Sequence, residues 1–184
     1  MNRRSSLTAV AAIAAIGTAA LALAGCAAAP VPADYAAEKP VLDLKSYFNG
    51  DLVAHGVFTD RAGKVARRFV VQMTGSWQGK EGTLDERFTY SDGKTERRVW
   101  RLTDQGNGNW RGRADDVVGE AVGTAAGNAL NWRYTLKLPV EDKVYEVQFD
   151  DWMYLMDERV MLNKAVMSKF GFRLGEVTLS FHKK

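Results

Sequence analysis

One cysteine stands among the 184 residues, Cys26, so no disulfide can close within the chain. The two histidines, His55 and His182, lie far apart and form neither a His-x-His nor a His-Glu-x-x-His spacing, so no metal site is expected. No serine sits in a Gly-x-Ser-x-Gly elbow, which removes the usual α/β-hydrolase nucleophile. No loop offers enough oxygen ligands for calcium. Gly106-Asn107-Gly108 does not open a helix after a parallel strand, so it is a hairpin loop and not a phosphate cradle. No cofactor is expected. Internal repeats and long charge blocks are missing as well.

What is present begins at the amino end. Arg3 and Arg4 precede an uncharged, alanine-rich run from Leu7 to Ala24, the layout of a secretory signal. Alanine supplies little apolar surface, and the run sits at the lower length limit for a membrane span. Leu23-Ala24-Gly25-Cys26 resembles the lipobox of bacterial lipoproteins. That resemblance implies a signal peptide over 1–25, cleavage before Cys26, and a diacylglycerol on its sulfur. The expected membrane partner is then reached through diacylglyceryl-Cys26, since two or more acyl chains anchor stably. Ala27 resembles the residue found in outer-membrane lipoproteins, which implies the periplasmic face of that membrane in a Gram-negative envelope. Removing Arg3 and Arg4 from the 25 basic residues leaves 23 against 22 acidic ones, a net charge of +1. Nucleic-acid binders concentrate basic charge on one face, so no nucleic-acid partner is expected.

Residues 26–43, with the stretch AAAPVPADYAAEK, read as a tether with little to bury. Residues 44–184 suit one domain with its own core. Strand-length alternations recur there between turn signals. The turns are Asp60-Arg61-Ala62-Gly63, Gln78-Gly79-Lys80-Glu81-Gly82, Ser91-Asp92-Gly93, Gly106-Asn107-Gly108-Asn109, Gly127-Asn128 and Glu141-Asp142. Trp132, Tyr134, Leu136 and Leu138 share one face; Tyr145, Val147 and Phe149 repeat the pattern, as do Val177, Leu179 and Phe181. These features predict an all-β antiparallel up-and-down meander of about eight to ten strands, closed into a barrel, with a two-sheet sandwich as the alternative. Closing removes exposed edges. Gly119, Gly123 and Gly127 suggest a sharp bend or bulge. A short helical turn is expected near Asp43 to Phe48 or Ser168 to Phe170.

The strings YFNGDLVAHGVFTDRAGKVARRF, LDERFTYSDGKTERRVW, RADDVVGEAVGTAAGNALNWRYTLKLPV and FDDWMYLMDERVMLNKAVMSKFGFRLGEVTLSF resemble a bacterial lipoprotein family, domain of unknown function 3833. The resemblance runs from about Ser46 to Phe181. It implies a lipidated envelope protein with a calycin-like barrel and a tilt toward lipid handling; it assigns no catalytic residue. The Gly-x-Trp of lipocalins belongs on a first strand, whereas Gly75-Ser76-Trp77 falls at the end of the second.

Three groups of side chains could carry chemistry. The doublets Asp85-Glu86, Asp115-Asp116, Asp150-Asp151 and Asp157-Glu158 include carboxylates suited to acid–base work if their pKa values separate. Neighbours on a strand face opposite ways, so at most one of each doublet can enter an interior; surface carboxylates paired with arginines are the plainer alternative. Among the arginines, Arg67 and Arg98 share faces with Phe69 and Trp100 and would point inward if those rings are core. An inward arginine suits an anionic head group, while a solvated outer row is the other reading. Trp77, Trp100, Trp110, Trp132 and Trp152, with Tyr134, can fill a core or line a pocket. Met153, Met156, Met161 and Met167 would tolerate varied apolar ligands.

The ligand site expected from these groups is Arg67, Arg98, Trp100, Trp132, Tyr134 and Trp152, holding a fatty acid, phospholipid or other apolar molecule. A scaffold that binds another envelope protein, and an enzyme using convergent Asp and Arg side chains on lipid or envelope polymer, are the alternatives.

Overall fold

A computed structural model describes residues 28–184; the expected signal peptide over 1–25 and the expected lipidation site Cys26 lie outside the described residues. Ten strands follow one another as a meander: β1 Gly50–Asp60, β2 Val65–Gln78, β3 Glu81–Tyr90, β4 Thr95–Gly106, β5 Asn109–Arg113, β6 Ala121–Ala126, β7 Ala129–Val140, β8 Lys143–Leu155, β9 Val160–Lys169 and β10 Phe172–Lys183. Each pairs antiparallel with its neighbours, and β1 also pairs with β10 from Leu52↔Lys183 to Asp60↔Gly175, so the sheet is a closed barrel. The sandwich alternative is set aside. Every expected turn connects two strands. No helix among the described residues is long and apolar enough to cross a membrane.

The alternation works as the sequence suggests. Leu130, Trp132, Tyr134, Leu136 and Leu138 of β7 face inward, as do Val177, Leu179 and Phe181 of β10. An eight-stranded barrel is about filled by its own side chains; with ten strands the interior keeps free space. The Trp132 ring lies along the inner wall because glycines on β6 and β5, the next two strands on one side of β7, make room. A Cβ on Gly112 would lie 2.5 Å from the Trp132 ring, and one on Gly123 2.4 Å.

One end of the barrel is capped. Asp43 accepts a hydrogen bond from the Ser46 backbone N–H at 2.7 Å and starts α1, Leu44–Tyr47, where a helical turn was expected. Leu44, Tyr47 and Phe48 are buried, and Phe48 meets Phe181 edge-on at 6.0 Å. Gly75 is required beneath this cap: a Cβ there would lie 1.6 Å from the Phe48 carbonyl oxygen. The Lys45–Asp104 ion pair at 2.7 Å and the Tyr47 hydroxyl, 3.2 Å from the Arg159 carbonyl, pin the cap to the wall.

Three details differ from expectation. The segment expected as a tether partly packs on the barrel: a 3-10 turn at Pro32–Tyr35 lays the Tyr35 ring 5.5 Å from Trp152 and 5.3 Å from Tyr154, and Leu42 is buried. Ser168 to Phe170 forms the end of β9 and a tight turn, with Phe170 at φ 52°, because Gly171 follows and lets the hairpin reverse. The Gly119–Gly127 stretch holds a loop and a turn, whereas register shifts fall at Phe58/Thr59, Asp104/Gly106 and Arg173/Gly175.

Candidate functional site

The barrel interior is a cavity of about 640 Å³, within the usual range for small-molecule sites. Its lining runs from Leu44 and Phe48 at the cap to Tyr90, Glu96, Lys137 and Val140 at the opposite rim. That rim is the open end. Most of the wall is apolar. Trp100 meets Trp132 at 5.6 Å and Tyr134 at 5.3 Å, both edge-on, and Tyr134 stacks on Phe149 at 5.0 Å. Met73, Met153 and Met167 line it, while Met161 is fully buried in the core and Met156 is exposed.

Five of the six expected ligand residues, Arg67, Arg98, Trp100, Trp132 and Tyr134, line this cavity. Trp152 does not. On β8 the inward positions are Phe149, Asp151 and Met153, so the intervening Trp152 faces outward and stacks on Tyr154 at 6.1 Å beneath Tyr35. Strand alternation excludes it from the site.

The two inward arginines are not free. Arg67 lies over the Tyr90 ring at 3.5 Å and donates to both oxygens of Asp92 at 2.9 Å. Arg98, whose side chain is 17% exposed, pairs with Asp116 at 2.8 Å and stands 3.9 Å from Glu86. Other arginines pair with carboxylates on the outer face, among them Arg97 with Asp85 at 2.8 Å, Arg113 with Glu120 at 2.9 Å, and Arg133 with Asp150 at 3.4 Å.

The strand carboxylates Asp85, Glu86, Asp150 and Asp151 divide as parity requires, and the loop pair Asp115 and Asp116 divides too. Asp85 and Asp150 face outward, and Asp115 is exposed, while Glu86, Asp151 and Asp116 line the cavity. Asp116 arrives on the loop 114–120, which fills the gap left by short β5 and β6. Its carbonyl accepts from the Lys137 N–H at 2.8 Å, and Val118 N–H donates to the Thr135 carbonyl at 2.8 Å. Burial pushes the Glu86 carboxyl from 4.5 up to about 7 against the pull of Arg98. Burial likewise raises Asp151 from 3.8 to about 7, opposed by hydrogen bonding from Tyr134 and by the Arg98 charge. The Tyr134 hydroxyl is itself held well above its ordinary value by burial. Asp151 is 6% exposed, and its buried Oδ1 has no hydrogen-bond partner.

The inward placement of Glu86, Asp116 and Asp151 was not singled out from sequence, although a signal existed for two of them. Glu86 shares parity with Leu84 and Phe88, and Asp151 continues the face of Val147 and Phe149. The histidines meet on the outer face, with ring centroids 6.2 Å apart. Among the described residues no group of three His, Cys, Asp or Glu side chains could hold a metal ion.

The model of a family described as protein of unknown function (DUF3833) matches residues 20–183. No curated protein matches the chain. Among solved structures, the S-type phycobiliprotein lyase CPES from Guillardia theta aligns with a TM-score of 0.57 at 6% identity, covering 78% of this chain and 94% of the lyase. A de novo designed fluorescence-activating β-barrel aligns with a TM-score of 0.42 at 10% identity, covering 78% of this chain and 99% of the design. The lyase shares the barrel fold with this chain.

Proposed function

We propose that this chain, which belongs to the DUF3833 family of proteins of unknown function, is a lipid-anchored envelope protein whose barrel holds an apolar small molecule of lipid type. The cavity carries this reading: about 640 Å³ of aromatic and thioether wall around a small polar cluster, capped at one end and open at the other. Flexible methionines and edge-on rings suit acyl or ring-bearing ligands of varied shape. Native mass spectrometry of the Cys26→Ser chain over residues 26–184, recovered from cells and titrated with envelope lipids, tests it. Retained or acquired lipid mass supports the reading; a ligand-free chain that ignores all added lipids refutes it.

The lipobox-like Leu23-Ala24-Gly25-Cys26 supports the anchor, and Ala27 supports the outer membrane facing the periplasm. In the full-length precursor, Cys26→Ser should accumulate uncleaved and take up no labelled fatty acid; normal acylation of that variant refutes the anchor.

Two other readings have an observation each. Glu86, Asp116, Asp151 and Arg98 converge in one cleft, and Glu86 and Asp151, each raised to about 7, can donate and accept protons at neutral pH, which favours an enzyme acting on lipid or envelope polymer. Turnover of a lipid ester abolished by Asp151→Asn would establish it. Phe170 and Phe172, 84% and 75% exposed, sit on one hairpin tip at the open end, which favours docking to another envelope protein. Cross-linking in cells from position 170 would identify that partner.

A further inference from the structure

The polar groups inside the cavity are unequal in sign. Among the described residues Arg98 is the one cation at depth, and its fork is occupied: Nε lies 2.9 and 3.1 Å from the two Asp116 oxygens, and a terminal nitrogen lies 2.8 Å from the same carboxylate. Arg67, nearer the rim, is held by Asp92. Against this stand three carboxyls, Glu86, Asp116 and Asp151. Glu86 meets a charged partner only at 3.9 Å, and Asp151 retains a buried oxygen without a partner. At the depth of Arg98 acceptors are therefore in surplus; the unpartnered donor of the lining, the Arg67 Nε–H, lies nearer the rim.

At that depth an incoming carboxylate would have to break the Arg98–Asp116 pair or stand against three like groups, each repulsive at low local dielectric. An incoming N–H donor meets the opposite situation. It satisfies the spare Asp151 oxygen and the loosely held Glu86 without disturbing any existing bond, and charge-assisted hydrogen bonds of this kind are the strong ones. We infer that the polar end of the ligand is a hydrogen-bond donor, a protonated amine before all others, seated on Asp151 and Glu86 with its apolar body along the Trp100–Trp132–Met wall. This rests on the barrel being a ligand cavity. It departs from the expectation of an anionic head group on Arg67 and Arg98, each of which already pairs with a carboxylate of the fold.

The test uses the Cys26→Ser chain over residues 26–184, loaded with the neutral dye Nile red. The dye is displaced at pH 8 by dodecylamine, dodecan-1-ol or dodecanoate, each below its aggregation concentration. One charge-assisted bond corresponds to about tenfold or more in affinity. Dodecylamine should therefore displace the dye at concentrations about tenfold or more below those of dodecanoate, with the alcohol between them. In Asp151→Asn and Glu86→Gln the amine-to-carboxylate ratio should fall to about threefold or less, a readout independent of how tightly the dye itself binds. Equal displacement by all three chains, or a ratio unchanged in both variants, overturns the inference and leaves the cavity reading standing. Failure of the dye and all three chains to bind overturns both.

Discussion

Replacing Asp151 by asparagine should make the protein's stability less sensitive to alkali. The unfolded chain releases the Asp151 proton near 3.8, and the folded chain holds it to about 7. Between those values the unfolded state binds fewer protons, so stability falls as pH rises, by about 1.4 kcal/mol per unit, and levels off above 7. The contribution is thus fully present below 3.8 and gone once the folded carboxyl ionises. From pH 4.5 to 8 the linkage gives a loss on the order of 3 kcal/mol from this one group. Asparagine keeps the size and does not titrate, so any fixed cost of the substitution cancels when the two pH values are compared. Urea unfolding followed by tryptophan fluorescence should show the variant gaining about 3 kcal/mol on the parent between pH 4.5 and 8. A difference constant within about 0.5 kcal/mol, the scale of an inert surface change, would mean that the carboxyl is not raised and that water reaches it freely.

Three further outcomes follow from the same geometry. Arg98→Ala should cost about 3 kcal/mol at pH 8, because removing one partner strands buried charge; at pH 5 the loss should shrink as Glu86 takes up a proton, and denaturant curves at both pH values will show it. Gly123→Ala should destabilise by about 1–3 kcal/mol, since the new methyl would press into the Trp132 ring at 2.4 Å, and the tryptophan emission should shift with it. Phe48→Ala should speed Nile red release in stopped-flow dilution by loosening the cap; an unchanged rate would mean that the dye leaves without feeling that end.

The fold was legible because its signals are local. Turn residues at Asp60–Gly63, Ser91–Gly93 and Glu141-Asp142 and the faces of β7 and β10 each declare a strand pair without reference to the rest of the chain. The site was legible only where parity could be read from a clear apolar partner, which placed Arg67 and Arg98 inward beside Phe69 and Trp100. Trp152 misled because a tryptophan is apolar on either face; its outward ring is covered by Tyr35, more than a hundred residues away in sequence, and no local pattern announces that contact. Asp116 enters the cavity from a loop, where strand parity does not apply. The neutralisation of Arg98 needed the barrel closed before Glu86 and Asp116 could be seen on either side of it.

With α1 and Phe48 filling one end, a guest of the proposed kind would have a single neck through which to arrive and depart. Such a flask could not relay cargo from one side to the other; loading and emptying would be the same journey reversed. Whatever set the direction of exchange would have to stand at the rim, beside Val140, Phe170 and Phe172, and a competitor waiting there would block delivery and uptake alike.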